Sequence, residues 1–219
     1  MFEPHRLLLA GSLAASTLLS VVLGVTDPTG TPGYPTRFMI WNLFLAWLPL
    51  VFAVLCAMAA RHWQAIVCGV LWLAFLPNAP YLVTDLMHLH GSSGQLWRHI
   101  LQFGFAAWTG TLLGVVSLRV MHLRMARRHG ARAGWLMAAA ATGLCAVGVV
   151  ICRFQRWNSW DLVTRPQAVA SNTFDWFSSP LSDIRSTGVA LSVAAFFALA
   201  YLTIVALEGA PLGRSAVRP

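Results

Sequence analysis

The sequence predicts an all-α fold, a polytopic membrane helix bundle with six transmembrane helices, and three observations carry that prediction. Apolar residues make up 58% of the 219 and charged residues only 10%, well below the roughly 25% charged content of an ordinary soluble domain. Six windows of at least about 18 apolar residues, each enough to cross a hydrocarbon core of about 30 Å, can be drawn. They cover residues 7–25, 38–59, 63–82, 96–118, 134–152 and 187–207. The short alternating segments of a membrane β-barrel are absent from the sequence, so helices remain as the spanning element. The connections are too short for a second folded unit, and residues 1–219 read as a single integral membrane domain.

The first segment follows His5 and Arg6. Its apolar core exceeds the 7–15 residues of a secretion signal and no A-x-A site follows, so a retained helix is expected. Ser12, Ser16 and Ser20 recur at four-residue spacing along it, which is a close-packing face in lipid. The second segment carries Asn42 near its start, an amide that must bond a neighbouring helix, and Pro49, where a kink is expected.

The third segment ends in Leu76-Pro77-Asn78-Ala79-Pro80-Tyr81. Neither proline has an N–H, so a helix continued through them would strip the Leu73 and Leu76 carbonyls of their donors. Unpaired carbonyls are costly at membrane depth, and a break is expected there, inside protein or beside a wet cavity. Asn78 is placed either to bond the freed backbone or to contact a substrate.

The fourth segment has a small-residue face at Ala106, Gly110 and Gly114, and the fifth has one at Ala139 and Gly143. Spacing alone does not separate contacts within one chain from contacts between chains, and oligomerisation stays open. The fifth segment runs out into Arg153-Phe154-Gln155-Arg156-Trp157-Asn158-Ser159-Trp160-Asp161. There the arginines either hold an anion or snorkel to the interface, and Ser159 or Asp161 would cap a short helix. The connection over residues 153–185, with Trp176 and Phe177, reads as a segment lying on the membrane before the sixth span. Trp41, Trp63, Trp97 and Trp135 sit near segment ends as interfacial anchors. Trp47, Trp72 and Trp108 lie deeper and call for partners in the bundle. Cys56, Cys68, Cys145 and Cys152 lack C-x-x-C spacing and read as packing residues.

All fifteen basic residues are arginine. The stretch between the fourth and fifth segments holds Arg119, Arg124, Arg127, Arg128 and Arg132 with no acid, and such an excess marks the cytoplasmic side. Nine Arg then face two acids inside, and six Arg face five Asp outside, which gives +7 and +1 of the total +8. Both termini are expected in the cytoplasm. The basic balance is explained by this asymmetry and by anionic lipid headgroups beside the bilayer; nucleic acid is not an expected partner, because the arginine run is short and no binding fold accompanies it.

Asn42, Asn78, Tyr81, Asp85, Arg153, Arg156, Asn158 and Asp161 fall at one membrane level on three segments. In the leading reading they form an outward-facing site for an anionic or lipid-linked headgroup. Arg153 and Arg156 would hold the anion, Asn78 and Asn158 would orient it, Asn42, Tyr81 and Trp157 are further binding candidates, and Asp85 or Asp161 would be the catalytic base. A base must reach the proton it removes, so convergence has to be demonstrated. Asp85, His88 and His90 are weak metal-ligand candidates by residue type. No Gly-rich phosphate loop and no G-x-S-x-G elbow occurs, and the residues name no cofactor. Two alternatives stand beside the headgroup site. One is a structural or assembly component of the envelope; the other is a small-solute transporter, for which the broken third segment is the support and the lack of a charge at any segment centre the objection.

Three strings carry a resemblance: Trp41-Asn42-Leu43-Phe44-Leu45-Ala46-Trp47, Pro77-Asn78-Ala79-Pro80-Tyr81 with Thr84-Asp85-Leu86, and the run from Arg153 to Asp161. They resemble the hallmark strings of an uncharacterised bacterial membrane-protein family, domain of unknown function 1361, over most of the chain. The resemblance implies a multi-pass protein of the bacterial cytoplasmic (inner) membrane. It implies no activity, cofactor or catalytic residue.

Overall fold

Backbone polar groups in lipid must be satisfied within their own segment, which turns each long apolar run into a helix. The computed structural model describes residues 4–26, 36–89, 93–155, 157, 161–178 and 183–209. Among the described residues the regular elements are all helical: α1 (Pro4–Val25), α2 (Thr36–Met58), α3 (His62–Phe75), α4 (Asn78–Thr84), a 3-10 turn at Asp85–His88, α5 (Ser93–His129), α6 (Ala131–Phe154), α7 (Asp161–Thr164), α8 (Pro166–Ser178) and α9 (Ile184–Gly209). Six spans among the described residues are long and apolar enough to cross a membrane. The surface is apolar as a lipid-facing surface must be, with Leu8, Leu136 and Leu191 each about 70% exposed.

α5 is the hub. It packs against α1, α2, α4, α6 and α9, and 56% of its apolar window is buried against 22–39% in the other spans. Leu13, Leu43, Leu82 and Leu113 fill the core on the α1–α2 side, and Trp72, Leu76, Leu118 and Phe197 fill it toward α6 and α9. The small-residue face of α5 is spent inside the chain. A Cβ on Gly110 would collide with the Ala79 carbonyl, and one on Gly114 would come within 2.8 Å of the Phe197 ring. In α1, Ser16 and Ser20 turn inward, where Ser16 shares a 2.6 Å hydrogen bond with Thr109 and Ser20 donates to the Gln102 carbonyl at 3.1 Å. Ala139 and Gly143 of α6, by contrast, are exposed.

The expected break falls between α3 and α4. Asn78 donates its side-chain amide to the Phe75 carbonyl at 3.0 Å, and the Ala79 N–H donates to the Leu76 carbonyl at 3.1 Å. The Leu76 carbonyl therefore keeps a donor, one residue closer than in an α-helix.

Two expectations need correction. The arginine-rich stretch after residue 118 is not a loop: α5 continues to His129, and Gly130 alone separates it from α6. Arginine is a good helix former, no Gly or Pro intervenes before Gly130, and cations at a helix C-terminus are favoured by its dipole. Trp108 is 61% exposed and so faces outward rather than into the bundle. Trp72 and Trp47 do find partners, donating to Ser117 and Thr17 at 3.2 Å each.

Arginines close helix ends. Arg124 donates to the Ala57 carbonyl in the last turn of α2 at 3.1 Å, and Arg98 donates to the Leu23 carbonyl near the end of α1 at 3.1 Å, satisfying carbonyls that have no intrahelical donor. At the start of α9, Asp183 accepts the Ser186 hydroxyl and, at 3.1 Å, the Ser186 backbone N–H. These bonds hold the Asp183 carboxyl below its ordinary range. Trp176 on α8 donates to the same Ser186 at 3.0 Å.

Candidate functional site

The break after α3 sets up the site. Restarting the chain as α4 and a 3-10 turn places Asn78, Tyr81 and Asp85 at helical spacing, with Tyr81 and Asp85 brought against the end of α6. α2 contributes Phe38, Trp41, Asn42 and Leu45, one face by the i, i+3, i+4, i+7 rule. The last turn of α6 contributes Cys152 and Arg153, and Trp157 follows. These three parts surround a cavity of about 480 Å³.

Asp85 lies beneath the cavity and is 0% exposed. An ionised carboxylate in such a place has to be paired and hydrogen-bonded. Oδ1 accepts from Arg153 Nη1 at 2.9 Å and Oδ2 accepts from Asn42 Nδ2 at 3.1 Å. Arg153 is fixed from several directions: Nη1 also donates to Tyr81 Oη at 3.0 Å and Nη2 to the Thr84 carbonyl at 3.3 Å. Its Cζ stands 5.4 Å from the centroid of the Tyr81 ring, within the range of a cation–π contact. The ion pair is neutral as a whole, but Arg153 lines the cavity and Asp85 does not, so the wall presents the cationic partner together with a set of oriented hydrogen-bond groups. The Trp157 indole N–H is buried with no hydrogen-bond partner among the described residues.

Of the residues singled out from sequence, Asn42, Asn78, Tyr81, Arg153 and Trp157 line this one cavity, and Asp85 braces it from below. Asp161 does not line the cavity: it begins α7, where its carbonyl accepts from the Arg165 N–H at 2.8 Å and its carboxylate from Thr164 at 3.4 Å. Arg156, Asn158, Ser159 and His90 lie outside the described residues, as does the side chain of His88.

Sequence reasoning missed the apolar half of the site. Trp41 reads as a membrane anchor, yet it lines the cavity together with Phe38, Leu45, Met87 and Cys152. The available signal was its place one residue before Asn42. A second polar cluster, at the other end of α6, was also missed. There His122 Nδ1 hydrogen-bonds Tyr201 Oη, the His122 and Trp135 rings meet edge to face at 4.7 Å, and Arg119 donates to Glu208 at 2.7 Å. Gly134 makes room for it, since a Cβ there would press on the His122 ring.

No curated protein and no solved structure matches this chain. One family model does, that of "Protein of unknown function (DUF1361)", over residues 41–204, which takes in every residue lining the cavity except Phe38. The chain is therefore a member of this uncharacterised family, as a multi-pass protein with six helices able to span a membrane.

Proposed function

We propose that this membrane protein binds the polar headgroup of an anionic membrane lipid in the cavity between α2, α4 and α6. The observation that carries the reading is convergence: hydrogen-bonding side chains from three strings far apart in sequence meet around 480 Å³ of space. Arg153 is held in place by Asp85, Thr84 and Tyr81, so little entropy is lost in presenting it to an acceptor oxygen. Asn42, Asn78 and Tyr81 orient the headgroup, and the indole N–H of Trp157 supplies a donor that has no partner among the described residues. Asp85 is a positioning residue in this reading. It is fully buried with both oxygens engaged, out of reach of a reacting proton.

The side of the membrane follows from charge. The end of α5 and the start of α6, with Arg119, Arg124, Arg127, Arg128 and Arg132, lie at the opposite end of α6 from the cavity, and an arginine excess marks the cytoplasmic face. The cavity then opens outward from a bacterial cytoplasmic membrane, with both termini inside.

The test is titration of the detergent-solubilised, delipidated protein with phosphatidylglycerol and with phosphatidylcholine, the bound lipid being read by native mass spectrometry. Tyr81→Phe and Trp157→Phe each delete one polar atom or N–H from the cavity. Each is expected to weaken phosphatidylglycerol binding by about tenfold, which corresponds to about 1.4 kcal/mol. Unchanged affinity in both variants, with an intact fold, rejects the reading.

The complete burial of Asp85 favours a second reading, in which the cluster locks α2, the 3-10 turn and α6 together and binds nothing. Changes at Asp85 or Arg153 would then lower stability and cellular abundance, while lipid binding per folded molecule stays constant.

A further inference from the structure

The cavity has an apolar neighbour. Between α3, α6 and α8 lies a crevice of about 680 Å³ that shares Cys152 and Trp157 with the polar cavity. We propose that one acyl chain of the bound phospholipid lies in this crevice while its headgroup occupies the cavity, an inference that rests on the headgroup reading. Depth supports it. The crevice follows α6 from Cys152 down to Leu144, eight steps that rise about 12 Å at 1.5 Å each. That is most of one leaflet of a hydrocarbon core about 30 Å thick, the depth over which one chain runs inward from the interface.

The walls fit the same occupant. Leu73, Val147 and Ile151 face the crevice from α3 and α6. Gly148 lets the α3–α4 break lie close, because a Cβ there would collide with the Pro77 ring. α8 lines the crevice with Pro166, Val169, Ala170, Thr173 and Phe174, one face at helical spacing; Val169 is buried and Phe174 exposed on it, and the polar Gln167, Ser171, Asn172 and Asp175 fall on the other side of the helix. This is the division of an amphipathic helix lying at an interface. A second crevice, between α4, α6 and α9, shares Arg153 and Met87 with the cavity but has Arg185 and Ser192 in its wall, a less suitable bed for hydrocarbon.

The full chain is reconstituted with phosphatidylglycerol carrying a diazirine at mid-chain, extracted into detergent, washed and irradiated, and the crosslinks are mapped by peptide mass spectrometry. Crosslinks are expected on α6 around Leu144 and Val147 and on α8 around Val169 and Phe174. Leu144 is 53% exposed on the lipid-facing side of the crevice, so Leu144→Trp should be tolerated, plug the crevice, and reduce both crosslinking and retained lipid at least fivefold. Val147→Trp, deeper in, should do the same, and Leu199→Trp on the outer face of α9 should not. Crosslinks on Val189 and Phe196 instead, with Tyr81→Phe and Trp157→Phe still lowering retention, overturn the chain placement and leave the headgroup reading standing. Retention unchanged in every variant overturns both. Crosslinks spread evenly over all lipid-facing helices identify bulk lipid and also overturn the chain placement.

Discussion

The Asp85–Arg153 pair is the most demanding local feature of the chain. Removing one partner leaves an uncompensated charge beneath the cavity, and a broken buried pair costs about 3–5 kcal/mol. Asp85→Asn or Arg153→Gln alone should lower the melting temperature sharply in detergent. The double variant should recover most of the loss, since it removes both charges together; a loss equal to the sum of the two singles would show that the groups do not act as a pair. The sequence marked Asn42, Asp85 and Arg153 as polar residues in need of partners, because lipid punishes unpaired groups. It carried no sign that they would satisfy one another, since 43 and 68 residues separate Asp85 from Asn42 and Arg153.

Among the elements, the junction of α5 and α6 depends most on one residue. Gly130 has φ +90°, a conformation that residues with a Cβ adopt only at a cost of about 1–3 kcal/mol. A Cβ there would meet nothing within 4 Å, so Gly130→Ala should lose stability through backbone strain alone, readable as a lowered melting temperature without new packing defects. A neutral result would mean that the turn relaxes to negative φ. The unbroken α5 through Arg119–His129 was hidden by an apolar-window reading, which sees where hydrocarbon ends and not where a helix ends. The proline break was legible because a missing N–H is a covalent fact, and the role of Asn78 in satisfying a freed carbonyl followed from it.

For the whole molecule, the opposition of the two ends of α6 makes the membrane orientation testable. Ser171 on α8 and Ala131 at the start of α6 are both exposed. In a background without the four native cysteines, Ser171→Cys should react with a membrane-impermeant thiol reagent on intact cells, and Ala131→Cys only after permeabilisation. The reverse pattern would place the cavity in the cytoplasm and end the outward-facing proposal. Composition and run length by themselves determined that the chain is a six-span helical membrane protein, since a bilayer allows so few solutions to its apolar stretches and their backbone groups. The central place of α5, the outward turn of Trp108, the recruitment of Trp41 into the cavity and the meeting of Asn42, Asp85 and Arg153 were decided by tertiary packing. In lipid every helix face is equally apolar at first sight, and only close backbone approach at Gly110, Gly114 and Gly148, together with pairing of buried polar groups, selects which faces meet.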